Sequence, residues 1–153
     1  MPIGQGLSLN SVQATQVFAT IANDGVRVEP SLVRGRTLAD GTVVPSQDPK
    51  RHRVISAETA RTLRAMMESV VSNDGTAPQA HIPGYRVAGK TGTANRVDPT
   101  CGCYRGYTSS FIGMAPADDP RLVVSVTLQN PRTGHYGGVV AGPVFKDVMS
   151  FAL

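Results

Sequence analysis

The chain has 153 residues, a formal net charge of +4 and a pI near 9.4. Its length and its hydrophobic content of 41% suit a globular domain with a substantial core. The basic residues are scattered apart from residues 50–53, and no aromatic stacking platform accompanies them, so we predict no nucleic-acid partner. The sequence shows neither a signal peptide nor an apolar run of the ~20 residues that a membrane span requires.

Two amphipathic helices are predicted in the first half of the chain. Residues 10–13 have the pattern of a capping box, and Asn23-Asp24-Gly25 would end the helix that begins there. Ser56 is the expected N-cap of a second helix that reaches about Ser72. The apolar face of this second helix is predicted to comprise Ala60, Leu63, Met67, Val70 and Val71. Its polar face is predicted to comprise Glu58, Arg61, Arg64 and Glu68.

A small β insertion is expected between these helices, over about residues 26–55. Residues 26–29 and 32–38 are predicted as short strands, and Asp40-Gly41 as a hairpin turn that leads into a third strand. Residues 49–53 are predicted as a polar connector.

The second half of the chain predicts three consecutive strands and a closing helix. The strands are expected over residues 85–94, 107–114 and 121–129, with loops at 75–84, 97–106 and 131–138. Both faces of the last strand are apolar, so helices should cover both faces of the sheet. The closing helix is expected to bury Val140, Val144, Val148 and Phe151, with Pro143 near its start. This order predicts an α+β fold with an antiparallel sheet flanked by helices.

The most unusual segment is Ala-Gly-Lys-Thr-Gly-Thr-Ala at residues 88–94. Side chains alternate across a strand, so Thr91 and Thr93 would project from one face and Lys90 from the other. The glycines leave the edge of the strand open to another backbone. Such a surface suits a ligand that has a carboxylate and an extended peptide backbone.

This segment has two other interpretations. Residues 84–91 satisfy the phosphate-loop pattern G-x-x-x-x-G-K-[ST]. That mechanism needs a strand before the first glycine and a helix that opens at the lysine, and neither is predicted here, so we reject nucleotide binding. An ordinary edge strand with a solvated lysine stays open as an alternative.

Residues 90–92 match the K-T-G element of penicillin-binding proteins and class A β-lactamases. Four further segments accompany it: Gly4-Gln5-Gly6, residues 21–25, residues 110–116, and Tyr136-Gly137-Gly138 before the closing helix. In this order and spacing the motifs closely resemble the C-terminal half of a class B penicillin-binding protein transpeptidase domain. The nearest match is the septal, cell-division type of actinobacteria. The resemblance implies the penicillin-binding/β-lactamase-like transpeptidase fold, with residues 1–153 as the C-terminal portion of a single domain.

Two catalytic motifs of that family are not found in the chain. No serine is followed by lysine in an S-x-x-K pattern; the nearest case, Ser46 with Lys50, is one residue too long and contains Pro49. Ser8 and Asn10 satisfy S-x-N but lie just before the first helix, where we interpret them as residues that start it. We therefore expect the nucleophile to lie in an N-terminal part that is absent here, and the chain alone not to catalyse.

The resemblance implies definite roles for the residues of the K-T-G segment. Lys90 would complete a cationic hydrogen-bond network, and Thr91 and Thr93 would bind the terminal carboxylate of a D-Ala-D-Ala stem peptide or of a β-lactam. The peptide N–H of Thr93 would be one donor of the oxyanion hole. The strand edge at Gly92 would add main-chain hydrogen bonds to the substrate. The other residues expected to line the cleft are Asn95, Arg96 and Tyr136, although packing of Tyr136 on the last helix is an equal alternative.

No metal site and no cofactor are predicted. Cys101 and Cys103 would be half of a metal site only with further ligands at suitable spacing, and the three histidines are isolated. Free or disulfide-bonded cysteines in a surface loop fit the pattern better. We interpret each histidine as structural or solvated.

The resemblance implies a D,D-transpeptidase that cross-links peptidoglycan at the extracytoplasmic face of the membrane, anchored by an upstream segment. Its expected partners are the N-terminal remainder of the domain, the stem peptide, β-lactam antibiotics and division-site proteins. A non-catalytic β-lactam sensor or degenerate penicillin-binding module is the second interpretation. A β-lactamase-type hydrolase is the third, because the β insertion fits it poorly. Without two upstream strands, the strand at 121–129 is expected to have an unpaired edge.

Overall fold

The computed structural model describes residues 7–153, so the expected Gly4-Gln5-Gly6 element lies outside the described residues. Helix α1 spans Ser11–Ala22 and helix α2 spans Ala57–Glu68. A 3-10 turn over Ser69–Val71 prolongs α2, which accounts for the predicted end near residue 72.

Both helices begin where the sequence predicts. In the capping box of α1, the Gln13 peptide N–H donates to Asn10 Oδ1 at 2.8 Å and the Asn10 N–H donates to Gln13 Oε1 at 3.0 Å. At α2 the Thr59 N–H donates to Ser56 Oγ at 3.0 Å. These bonds satisfy amide groups that have no partner inside the helix, which is why both starts could be recognised from sequence.

Four short strands lie between the two helices. They are β1 (Val26–Val28), β2 (Gly35–Thr37), β3 (Val43–Pro45) and β4 (Arg51–Arg53). Strand β1 pairs with β4, and β2 pairs with β3, both antiparallel. The predicted polar connector at residues 49–53 is therefore wrong. Strand β4 consists of three exposed basic residues, so it carries no alternating pattern and is defined by its backbone pairing alone.

The central sheet has three antiparallel strands in the order β5-β6-β7. They are β5 (Ala88–Asp98), β6 (Cys103–Ala115) and β7 (Leu122–Gln129). Two predictions are corrected here: β5 begins at residue 88 and not 85, and the predicted loop at 97–106 is mostly strand. Asp98 Oδ1 accepts from both the N–H and the hydroxyl of Thr100, so a tight polar turn replaces the expected loop.

Helices cover both faces of this sheet, as the apolar faces of its last strand predict. Helix α3 spans Gly137–Val140 and helix α4 spans Gly142–Ala152. On the α4 side, the ring centroids of Phe111 and Phe145 lie 4.7 Å apart in a fully buried core. On the other side, Met114 and Ala117 are buried. The side chains packed against them from α1 and α2 are Phe18, Ile21, Ala22 and Met67. The predicted α+β class with an antiparallel sheet is confirmed.

The predicted buried face of the closing helix is wrong at three of its four residues, while Val140 lies in α3 and is half-buried. The fully buried residues on this side are Phe145 and Met149 of α4 and Ala141, which immediately precedes the helix. Val144, Val148 and Phe151 are instead exposed, and 94% of Phe151 is accessible. The helix carries two apolar stripes, and periodicity alone does not decide which one faces the sheet.

The predicted polar face of α2 contains a second error, at Arg64. Only 6% of this residue is exposed, and its Nη1 donates to the Ile21 carbonyl at 2.9 Å and to Asp24 Oδ1 at 2.9 Å. Arg64 thus binds a carbonyl at the C-terminal end of α1 that has no partner inside that helix. The hydrogen bond from Arg64 to the Asp24 carboxylate, together with the charges of Arg64 and Arg61, lowers the pKa of Asp24.

Candidate functional site

Residues 90–93 lie on β5, at one edge of the described sheet. Thr91 pairs with Phe111 of β6, whose side chain faces α4, while Ala88 pairs with Met114, which faces α1 and α2. Thr91 and Thr93 therefore lie on the α4 face, and Lys90 belongs to the opposite face. The exposed Lys90 ammonium donates to the Thr91 carbonyl at 2.8 Å, and its Nζ lies 3.4 Å from Thr91 Oγ1. The structure thus brings an ammonium and two hydroxyls together at one edge.

The Thr93 hydroxyl is held by the first residue of α3. The peptide N–H of Gly137 donates to Thr93 Oγ1 at 3.0 Å. A Cβ on Gly137 would lie 2.3 Å from the carbonyl oxygens of Gly92 and Ser110, so only glycine permits this close approach. The Tyr136-Gly137-Gly138 element of the sequence therefore has a direct steric role beside β5.

Gly92 leaves its own position on the opposite face of β5 without a side chain. A Cβ at this position would lie 2.4 Å from Ser110 Oγ on the neighbouring strand. Across from Thr93, Ser109 is fully buried and its hydroxyl donates to the His135 carbonyl. Ser109 is thus a structural residue of the site, with its hydroxyl hydrogen already engaged.

Three aromatic rings stand beside the Thr93–Gly137 contact. The Tyr107 and His135 rings stack with their centroids 4.3 Å apart and 16° between their planes. The Tyr136 ring lies 4.4 Å from the His135 ring and is 64% exposed as a residue. Tyr136 was a candidate from sequence, whereas Tyr107 and His135 were missed. Recognition of the β5–β6 hairpin would have found Tyr107, because it pairs with Asn95 in the register.

Asn95 lies on β5 two residues beyond Thr93 and is exposed. It contributes to a cleft of about 410 Å³ between the hairpin and the segment before α1. Other residues that line this cleft are Leu7, Leu9, Arg96, Tyr104 and Thr108. Asn95 and Arg96 therefore border a cleft that lies farther along the strand than Lys90. That they line the substrate cleft stays a prediction.

Cys101 and Cys103 form a disulfide at the turn between β5 and β6. Neither is then available as a thiolate ligand. Within residues 7–153, no three His, Cys, Asp or Glu side chains come together as a metal site. Beside the disulfide, hydrogen bonds from Thr100 lower the pKa of Asp98, which also pairs with Arg105 at 3.3 Å.

An antiparallel sheet between helices, with a Lys-Thr-Gly-Thr strand at its edge, defines the class of penicillin-recognising serine transpeptidase domains. Residues 1–150 match the penicillin binding protein transpeptidase domain family, and the chain belongs to that family. The resemblance to class B penicillin-binding proteins is confirmed by the relatives described next.

The chain is 47% identical to penicillin-binding protein PbpB of Mycolicibacterium smegmatis, over all of this chain and 25% of that protein. It is 38% identical to the probable peptidoglycan D,D-transpeptidase PbpC of Pseudomonas aeruginosa, over 26% of that protein. The crystal structure of penicillin binding protein 3 from Mycobacterium tuberculosis, complexed with ampicillin, superimposes with a TM-score of 0.92 at 42% identity. That comparison covers 99% of this chain and 36% of the other.

The chain spans about a quarter of the length of the curated relatives it matches. Of the helices in residues 7–153, none combines the length and the apolar character needed to cross a membrane.

Proposed function

We propose that the chain is the C-terminal portion of a peptidoglycan D,D-transpeptidase domain that also binds β-lactams. The observation that carries this proposal is the edge of β5, where the Thr91 and Thr93 hydroxyls share one face next to the Lys90 ammonium. Hydroxyl and ammonium donors at an open strand edge fit a ligand that ends in a carboxylate. Belonging to the transpeptidase family supports the same assignment.

In the proposed reaction, a serine hydroxyl from the remainder of the domain attacks the carbonyl between the two D-alanines of a donor stem peptide. The bond from that carbonyl carbon to the terminal D-Ala nitrogen breaks, the nitrogen takes up a proton, and D-Ala leaves. The acyl group then passes from the serine oxygen to the amine of an acceptor peptide. Thr91 and Thr93 hold the carboxylate that leaves with D-Ala, and Gly92 gives the substrate backbone access to the strand edge.

Lys90 and the Thr93 peptide N–H are the proposed catalytic groups of this chain. The N–H would stabilise the oxyanion of the tetrahedral intermediate, a contribution of about 3–4 kcal/mol for one such donor. The Lys90 ammonium would stabilise the charge network around the reacting serine. Asn95 and Tyr136 are proposed to contact the substrate beyond its carboxylate end.

The N-terminal remainder of the domain is the proposed partner for two exposed surfaces. Strand β7 is an edge of the described sheet, and the stripe of Val144, Val148 and Phe151 on α4 is exposed. Pairing with β7 and packing on this stripe would bury both. Division-site proteins and an extracytoplasmic position at the membrane belong to this proposal for the whole protein.

Labelling with a fluorescent penicillin tests the proposal, first on this chain alone and then on a mixture with the preceding part of the domain. We expect label on the partner's serine only in the mixture. A mixture that contains the Thr93→Val variant of this chain should carry less label. Label on this chain alone would mean that it contains a nucleophile. Absence of label in a mixture shown to associate would favour a degenerate penicillin-binding module.

A further inference from the structure

Thr76, in the loop after α2, approaches the candidate site from outside the K-T-G strand. Its Oγ1 lies 3.2 Å from Thr91 Oγ1, a hydrogen-bonding distance between two hydroxyls. This contact could not be predicted from sequence, because 15 residues separate the two threonines. The contact gives Thr91, a proposed carboxylate-binding residue, a hydroxyl neighbour from outside its own strand.

The backbone around Thr76 is fixed from two sides. The Ala77 N–H donates to the Val70 carbonyl at 2.8 Å, and Ala77 is fully buried. On the other side, a Cβ on Gly138 would lie 2.0 Å from the Thr76 carbonyl oxygen, so the start of α3 packs directly on this residue. Thr76 is thus held between α2's end and the segment that also binds Thr93.

Either hydroxyl could donate in this contact, and the hydrogen-bond inventory of Thr91 shows what each direction would leave available. A threonine hydroxyl has one hydrogen to donate and two acceptor lone pairs, whereas a lysine ammonium only donates. Lys90 Nζ lies 3.4 Å from Thr91 Oγ1 and therefore favours Thr91 as an acceptor. If the Thr76 hydroxyl also donates to Thr91, the Thr91 hydrogen is left for an incoming anion.

Thr93 is arranged in the same way. Its Oγ1 already accepts the Gly137 N–H, so its own hydrogen is also left to donate. We propose that Thr76 is a positioning residue that donates to Thr91 and turns the Thr91 hydroxyl toward the ligand carboxylate. This inference rests on the proposed function, since it concerns the same carboxylate site.

The first test needs no ligand. In the free 153-residue chain, three-bond scalar couplings report the χ1 rotamers of Thr91. We expect one dominant rotamer in the wild type and in Thr76→Ser, and rotamer averaging in Thr76→Val, which keeps the shape but removes the hydroxyl. Thr62→Val, on the exposed side of α2, is the matched control and should leave Thr91 unchanged. An unchanged Thr91 rotamer in Thr76→Val would overturn the positioning role.

The second test measures the binding of N-acetyl-D-alanyl-D-alanine and of its C-terminal amide. Binding is monitored through the backbone amide chemical shifts of residues 91–93. The wild type should bind the carboxylate form more tightly than the amide. Thr76→Val should weaken the carboxylate form by about threefold to tenfold, the range for one hydrogen bond, and leave the amide form unchanged. Thr76→Ser should restore the wild-type preference.

The two tests separate the two claims. A wild type without preference for the carboxylate would contradict the proposed function and the ligand part of this inference, whereas the rotamer of Thr91 would still decide the contact between the two threonines. Equal weakening of both ligands in Thr76→Val would show a merely structural residue and overturn the assignment.

Discussion

The hydroxyls of Thr91 and Thr93 share one face of β5 but are held by different partners. The Gly137 N–H donates to Thr93, while Thr91 lies beside Thr76 and the Lys90 ammonium. Charge-assisted hydrogen bonds to a carboxylate are roughly twice as strong as neutral ones. In the proposed arrangement, two hydroxyl hydrogens and a nearby ammonium would give this edge a preference for anionic ligand ends.

At the scale of single residues, Gly137→Ala should damage both stability and the site. Its Cβ would meet two carbonyl oxygens at 2.3 Å, and neither belongs to a flexible side chain. We expect a loss of about 1–3 kcal/mol in the free energy of unfolding, as for other overpacked positions, measured by urea denaturation. Penicillin labelling of the mixture with the remainder of the domain should fall as well, because Thr93 loses its donor.

Gly142→Ala is the matched control for that substitution. The nearest atoms to a Cβ at this position lie 3.6 Å away or farther, an ordinary van der Waals distance. The control should be neutral or slightly stabilising, because alanine favours a helix over glycine by up to about 1 kcal/mol. Similar losses in both variants would show that any side chain in this region is harmful.

At the scale of elements, the start of α1 distinguishes two interpretations of the Ser8-x-Asn10 pattern. Asn10→Ala removes the side-chain half of the capping box and should cost about 1 kcal/mol in stability, measured by urea denaturation. Ser8→Ala should change neither stability nor penicillin labelling. A selective loss of labelling in Ser8→Ala would contradict its assignment as a residue outside the reaction.

The junction between α1 and α2 should make stability depend on pH. Because the Asp24 pKa is lowered in the folded state, chiefly by its hydrogen bond with Arg64, the ionised carboxylate stabilises the fold. This contribution is fully present above the unfolded pKa of about 4 and is lost as the pH falls through the lower folded pKa. Urea denaturation of the wild type and of Asp24→Asn between pH 6 and pH 3 should therefore give free energies of unfolding that differ at pH 6 and converge as the pH falls.

Arg61→Gln is the control for this pH effect. Arg61 is 65% exposed and lies 3.5 Å from the Asp24 carboxylate, whereas Arg64 is buried at 2.9 Å. Arg61→Gln should retain most of the acid dependence, since an exposed ion pair contributes little. If Arg61→Gln abolished the pH dependence, Arg61 and not Arg64 would be responsible for it.

At the scale of the whole molecule, the two apolar stripes of α4 differ in their exposure to solvent. Phe151→Ser and Val148→Ser lie on the exposed stripe and should reduce self-association in sedimentation experiments while leaving thermal unfolding nearly unchanged. Phe145→Ser lies on the buried stripe and should destabilise the chain by about 3–5 kcal/mol or more. Unchanged association in the first two variants would mean that this stripe is not a contact surface.

The sequence predicted those parts of the molecule that depend on local rules. Capping residues, the β2–β3 turn and the strand with two apolar faces follow from short patterns, and the K-T-G segment follows from its chemistry. The missed features depend on tertiary contacts. Arg64 has the sequence pattern of a surface residue, and its buried position depends on a partner from α1. The two stripes of α4 are both apolar, so the sequence does not show which one is buried. Thr76 and His135 join the site only through the folding of distant segments.

The small β insertion is closed at its base, where β1 pairs with β4 and Val26 lies opposite Arg53. Gly41, at the tip of the β2–β3 hairpin, has open space around it and belongs to a fully exposed turn. Lengthening a loop that is already closed costs only about 0.6 kcal/mol for each doubling of its length. The tip is therefore a suitable place to graft a fluorescent reporter domain, which would allow the protein to be followed in living cells with the sequence of β5 unchanged.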